Sequence, residues 1–196
     1  MTPLSFHIVK QMTRYWLILL MAMLPLWSRS ECLATLPALD KLETIVQAEM
    51  TARDALVTIR RNAQDWKNLL LRGSDTQMRQ MMQSRFDTQA ATYEVRLGEL
   101  RKQMQALGEN SQRLDILDAE RVQLFGKYRG ALSTHGVSTL EAAFRADKEA
   151  QGADIKTLRI LEETIEFLAI KSREQFQTVR KLMQSCDSQQ LPRQQK

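Results

Sequence analysis

Between Leu36 and Gln184 apolar side chains return every three or four residues, the period of an α-helix with one buried face. The pattern yields at three short glycine-bearing breaks: Gly73-Ser74-Asp75, Gly108-Glu109-Asn110 and His135-Gly136. The first stretch, about Leu36 to Arg72, carries Ala52, Leu56, Ile59, Ala63, Trp66 and Leu70. The second, about Thr76 to Leu107, carries Tyr93, Leu97, Leu100, Met104 and Leu107. A third runs to about Thr134 with Leu114, Leu117, Leu124, Tyr128 and Leu132. The last runs to about Gln184, bent or broken near Gly152, with Leu158, Leu161, Ile165, Leu168, Phe176 and Val179 on its inner face.

Stretches this long joined by such short turns predict an all-α fold, an elongated antiparallel up-down-up-down four-helix bundle. Each helix would measure about 45–60 Å at 1.5 Å per residue. An aromatic content of 6% argues against a β-sandwich. The turns carry their own signals. Asp75 and Ser111 are N-cap candidates, and Ser138-Thr139-Leu140-Glu141 reads as a capping box in which Ser138 accepts from the backbone of Glu141. No heptad is regular enough to fix an oligomeric state. Arg53, Arg60 and Arg121 fall on or near the apolar stripes, which makes a more polar second face, and a homodimer, a candidate.

The first thirty residues differ from the rest. Lys10 and Arg14 precede an uncharged apolar run from Tyr15 to Trp27, and Ser28 and Ser30 stand before Glu31. That is a secretory signal pattern, with residues 1–30 removed and the protein delivered to the periplasm. Tyr15 to Ser28 as a helix reaches about 21 Å, short of the ~30 Å hydrocarbon core. The alternative is an inner-membrane anchor over residues 12–28. The expected organisation is thus a signal segment at 1–30, a helical domain at 31–186 and a polar tail at 187–196. The formal net charge of +5 resides largely in the leader, because the remaining residues hold 25 basic and 23 acidic groups. No basic stripe is left, and a nucleic-acid partner is not expected.

Cys32 lies just before the first helix and Cys186 just after the last. In an up-down bundle of four those positions share one end, and an exported protein can hold a disulfide there. A Cys32–Cys186 bond would contribute about 5 kcal/mol through chain entropy. A bond between two chains and two free thiols are the alternatives.

At Asn62 to Asp75 the chain reads NAQDWKNLLLRGSD. This segment resembles the end of the first helix in the four-helix-bundle sensory domains of bacterial methyl-accepting chemotaxis proteins, with Trp66, Asn68, Arg72 and Gly73 as the structural motif. Phe86, the phrase FGKYRGAL at Phe125 to Leu132, Ala146-Asp147 and Gly152-Ala153-Asp154 extend the likeness loosely, over about Leu36 to Phe176. The resemblance implies a chemoreceptor-like module for sensing a small molecule, with ligands held between first and last helices near a dimer interface. Receptors of that family continue through a second membrane helix to a signalling rod. No second apolar run of spanning length occurs in these 196 residues. The expectation is therefore a module that presents its ligand to a membrane receptor, or a shortened receptor. The alternative is an adaptor that docks on a receptor through a helical face.

The residues themselves offer one candidate ligand site. Arg60, Arg61 and Lys67 lie within two turns, and a guanidinium can hold a small organic anion bidentately. Equally, Lys67 and Arg72 suit the negative end of the helix dipole, and Trp66 suits the core. Enzymatic equipment is sparse. His7 and His135 are the only histidines, so no histidine triad or histidine-rich metal site can be assembled. No phosphate-cradling glycine motif occurs, no cofactor is implied, and His135 is expected to cap a helix end. The carboxylates Asp115, Asp118 and Glu120, and Glu162, Glu163 and Glu166, are expected on solvated faces.

Overall fold

The computed structural model describes residues 29–188, with side chains from 34 to 186. Five α-helices follow one another: α1, Arg29–Arg72; α2, Thr76–Ala106; α3, Gln112–His135; α4, Leu140–Ala150; and α5, Ile155–Ser188. No strand occurs among the described residues. The chain is all-α, as the periodicity requires. None of these helices is long and apolar enough to cross a membrane. Residues 1–28 of the leader lie outside the described residues, while Arg29, Ser30 and the proposed cut before Glu31 fall in the first turn of α1.

The boundaries follow from local chemistry. Asp75 caps α2, its Oδ1 accepting from the Met78 amide at 3.0 Å. Two cap expectations change, one in position and one in its side-chain bond. Thr139, not Ser138, is the extended N-cap of α4 and accepts from the Ala142 amide at 3.1 Å. At α3 the Ser111 hydroxyl makes no cap bond, since Ser111 already has helical backbone angles. The preceding Asn110 accepts from the Gln112 amide at 2.7 Å instead. α1 begins earlier than the periodicity suggested, at Arg29, and carries Pro37 inside it. The long last stretch is broken outright. α4 ends at Ala150, Gly152 takes a positive φ of 71°, and α5 starts at Ile155. A glycine can adopt that left-handed backbone without strain, which is why the break falls there.

The chain falls into two units, Met1–Leu42 with Glu174–Lys196 and Glu43–Arg173. In the described part of the first, Gln175 Nε2 donates to the Ala38 carbonyl at 2.8 Å and Val179 is buried. Phe176, expected on an inner face, is 59% exposed.

The second unit holds the main core. Ala48, Ala52 and Ala55 on α1 are fully buried, and small side chains there let another helix approach closely. Leu97, Leu100 and Met104 on α2, Leu114, Leu117 and Leu124 on α3, and Leu161, Ile165 and Leu168 on α5 fill the same cluster. Five aromatic rings fasten α1, α2 and α3. Trp66 stacks on Tyr128 at 4.7 Å, and Phe86 meets Tyr128 at 5.6 Å and Phe125 at 5.9 Å, both edge-on. Tyr93 stands at 6.4 Å from Phe125. Such offset and edge-on pairs add about 0.5–1.5 kcal/mol each beyond their buried area.

Polar links between helices run in a consistent order. Arg101 with Asp115, Arg121 with Glu94 and Arg129 with Asp87 join α2 to α3, the numbers rising in one helix as they fall in the other. Between α3 and α5, Lys156 meets Glu120 and Arg113 donates to the Glu163 carbonyl in the same opposed order. Glu120 departs from its expected solvated place. Its side chain is 11% exposed and is held by Lys156 at 2.5 Å. A carboxylate so covered needs a cation beside it, and Lys156 supplies one from the neighbouring helix.

Candidate functional site

The cationic set on α1 reaches its neighbours through carboxylates. Trp66 is 1% exposed and its Nε1 points to Asp147 Oδ1 at 3.4 Å. The same oxygen accepts from Lys67 Nζ at 2.5 Å. Asp147 on α4 thus clasps two consecutive residues of α1, one from the core and one from the surface. Arg60 Nη2 pairs with Glu162 Oε1 of α5 at 2.9 Å. Both partners are more than half exposed, where such pairs contribute about 0–1 kcal/mol. Arg61 is exposed and forms no hydrogen bond or ion pair with a described residue. The three cations proposed from sequence therefore lie along one helix with two of them facing acids, and none of them lines the three hollows described below.

The motif residues have structural posts. Asn68 is half-buried and Arg72 is exposed in the last turn of α1, where its charge faces the helix dipole. Gly73 is buried against Val137 of the loop before α4. A Cβ at Gly73 would collide with the Val137 side chain and stand 2.6 Å from the Leu69 carbonyl. Only glycine lets the α1–α2 turn approach this loop so closely.

Beside that contact the surface opens into a pocket of about 430 Å³. Leu69, Leu132 and Val137 give it an apolar floor. The polar residues Arg79, Gln83, Arg129, Ser133 and Ser138 complete its lining. Arg79 is held in place by the turn, its Nη1 donating to the Gly73 carbonyl at 3.1 Å. Arg129 pairs with Asp87 of α2 at 3.3 Å. Each guanidinium has five N–H donors, so both keep several for a ligand. No carboxylate lines the pocket. Arg79, Arg129 and Val137 were not singled out from sequence. Two signals pointed that way: Arg129 sits inside FGKYRGAL, and Val137 is an apolar residue stranded in a polar turn.

A second hollow of about 440 Å³ shares Arg129 but is lined also by Asp87, Glu94 and Arg121, with Phe125 beneath. A third, about 240 Å³, lies beside Arg113 and Phe167. Arg113 and Lys171 stand over the Phe167 ring at 5.3 and 5.4 Å, a cation–π arrangement that closes the α3–α5 seam. His135, at the end of α3, places Nε2 2.7 Å from Glu149 of α4 and holds those two helices together. No group of three or more potential metal ligands occurs among the described residues. Cys186 is half-buried near the end of α5, and the side chain of Cys32 lies outside the described residues.

Two tyrosines carry perturbed hydroxyls. Burial pushes Tyr93 well above the ordinary tyrosine value, opposed in part by Arg121. Its hydroxyl has no hydrogen-bond partner among the described residues. Tyr128 is raised too, first by burial and then by Asp154 and Asp147. Both belong to the core cluster.

No family model matches the chain, and comparisons with curated proteins and with solved structures found no match.

Proposed function

We propose that residues 31–186 form a chemoreceptor-like ligand-binding module, an antiparallel up-down-up-down four-helix bundle in which α4 and α5 together supply the fourth helix. The opposed order of the ion pairs between α2 and α3 and between α3 and α5 supports that arrangement. The observation that carries the binding role is the 430 Å³ pocket, with its apolar floor and two arginines in its lining. Ligand sites commonly combine an apolar lining with a few convergent polar groups. The module binds a small organic anion and presents the occupied state to a membrane receptor. Residues 1–30 direct it to the periplasm, where Cys32 pairs with Cys186.

A thermal-shift panel tests the binding role on the full chain in mild detergent. It spans carboxylates, amino acids, sugars and simple ions. A true ligand at a hundred times its Kd stabilises by about 2.7 kcal/mol. A flat response across all classes removes the proposal. Export and pairing are tested by the intact mass of protein taken from its own cells without reductant. The expected species starts at Glu31 and lacks two hydrogens. A mass retaining Met1 indicates an anchored module instead.

One observation favours the adaptor reading as a second. Val46, Met50 and Val57 on α1 are exposed large apolar residues, spaced with Arg53 and Arg60 at four and three positions. Such a stripe suits a partner helix, a second copy included. Crosslinking from a cysteine placed at position 50 would recover a receptor or a dimer under this reading, and an uncrosslinked monomer counts against it.

A further inference from the structure

Resting on the proposed binding role, we infer that the pocket between the α1–α2 turn, α3 and the Val137 loop takes a short branched aliphatic carboxylate that lacks an amino group. Four observations lead there. The floor of Leu69, Leu132 and Val137 offers branched apolar surface of the size a short alkyl chain covers. The lining includes two arginines with a partner each, Arg79 on the Gly73 carbonyl and Arg129 on Asp87. Anchored guanidiniums bind a carboxylate with little further ordering cost, and charge-assisted hydrogen bonds are about twice as strong as neutral ones. The lining holds two arginines and no acid, so an ammonium group would stand near like charges with no carboxylate to pair with. The Ser133 and Ser138 hydroxyls and the Gln83 amide remain for a polar substituent next to the carboxylate, such as a keto oxygen.

The alternatives on this molecule fit an anion less well. The adjoining 440 Å³ hollow shares Arg129 but adds Asp87 and Glu94, which oppose a carboxylate. On α1, Arg60 and Lys67 line none of the three hollows described above. The assigned pocket alone of these three places couples two arginines to an apolar floor in an acid-free lining.

Calorimetric titration of the full chain tests the assignment with 4-methylpentanoate, its 2-oxo derivative, leucine and 4-methylpentanamide. Both carboxylates without an amino group are expected to bind. Leucine and the amide are expected to bind more than tenfold weaker. Arg129→Gln should reduce carboxylate affinity by roughly tenfold, the loss of one charged hydrogen-bonding partner. Ser133→Asp, which sets a negative charge on an exposed lining position, should abolish binding. Arg79→Gln is expected to act like Arg129→Gln, and Ser133→Asp keeps the test intact should loss of the Gly73 anchor unfold the turn. Arg61→Gln should change nothing. Leucine binding as tightly as 4-methylpentanoate, or carboxylate affinity indifferent to both Arg129→Gln and Ser133→Asp, overturns the assignment. A compound from the wider panel that stabilises the chain and ignores these substitutions leaves the module reading standing and overturns only this pocket. No binding by any compound overturns both.

Discussion

Replacing Trp66 by alanine separates a core role for the Trp-Lys-Asn segment from a ligand-contact role. The indole is 1% exposed, stacks on Tyr128 at 4.7 Å with planes 26° apart, and lies 6.4 Å from Phe86. Removing a buried aromatic to alanine costs about 3–5 kcal/mol through lost transfer energy and the cavity left behind. Two aromatic neighbours and the Asp147 contact put this site in the upper part of that range, about 4–5 kcal/mol. For a chain of this size each kcal/mol lowers Tm by about 2–4 °C. The expected fall is therefore about 8–20 °C, read from the helical circular-dichroism signal on heating. Lys67→Met is the control on the next residue. Its ammonium is half-exposed and pairs with one carboxylate, so its loss should cost about 1 kcal/mol or less. A Trp66→Ala loss below about 1 kcal/mol would refute the reasoning, because it would mean that the ring is not closing the α1–α2–α3 seam.

Three further outcomes follow from particular contacts. Gly73→Ala should cost about 1–3 kcal/mol by overpacking against Val137, and Val137→Ala in the same chain should restore only part, since the Leu69 carbonyl remains 2.6 Å from the new Cβ; chemical denaturation of the two variants decides this. Tyr93→Phe deletes a buried hydroxyl that has no partner among the described residues, so stability in urea should be unchanged or higher by about 1 kcal/mol. Tyr93 and Tyr128 hold their protons in the folded chain to higher pH than in the unfolded one, which titrates near 10. Their contribution is thus complete below pH 10 and is lost as pH rises through the raised folded values, at up to about 1.4 kcal/mol per pH unit for each. Tyr93→Phe should flatten the alkaline limb of the stability profile, and an unchanged limb would count against a buried, protonated Tyr93.

The regular part of the fold was legible because helical packing repeats in sequence. Spacing turns Ile59, Trp66, Tyr93, Leu100, Leu117, Leu124, Leu161 and Leu168 inward, and all are buried. The same spacing turns Phe176 inward, yet it is exposed, since periodicity gives a face but not the reach of the core along the helix. The cap slips by one residue at Ser138, where Thr139 has the extended backbone, and at Ser111 the position holds but the hydroxyl makes no cap bond. Glu120 reads as one of a solvated cluster because its partner, Lys156, comes from a distant stretch of chain. The pocket is hidden for the same reason. Arg79, Arg129 and Val137 are on three separate segments and no spacing rule joins them. Arg60, Arg61 and Lys67 stand out because they are neighbours in sequence, which is a weaker criterion than neighbours around a cavity.

The binding role turns on a small anion held on the apolar floor beside Arg79 and Arg129. Methyl-labelled leucine and valine spectra of the full chain, titrated with 4-methylpentanoate, test it most directly. The expected result is saturable shifts at Leu69, Leu132 and Val137, with Val57 near Arg60 and Arg61 unmoved. Shifts confined to Val57 and Leu56, or spectra unchanged at saturating carboxylate, would contradict it.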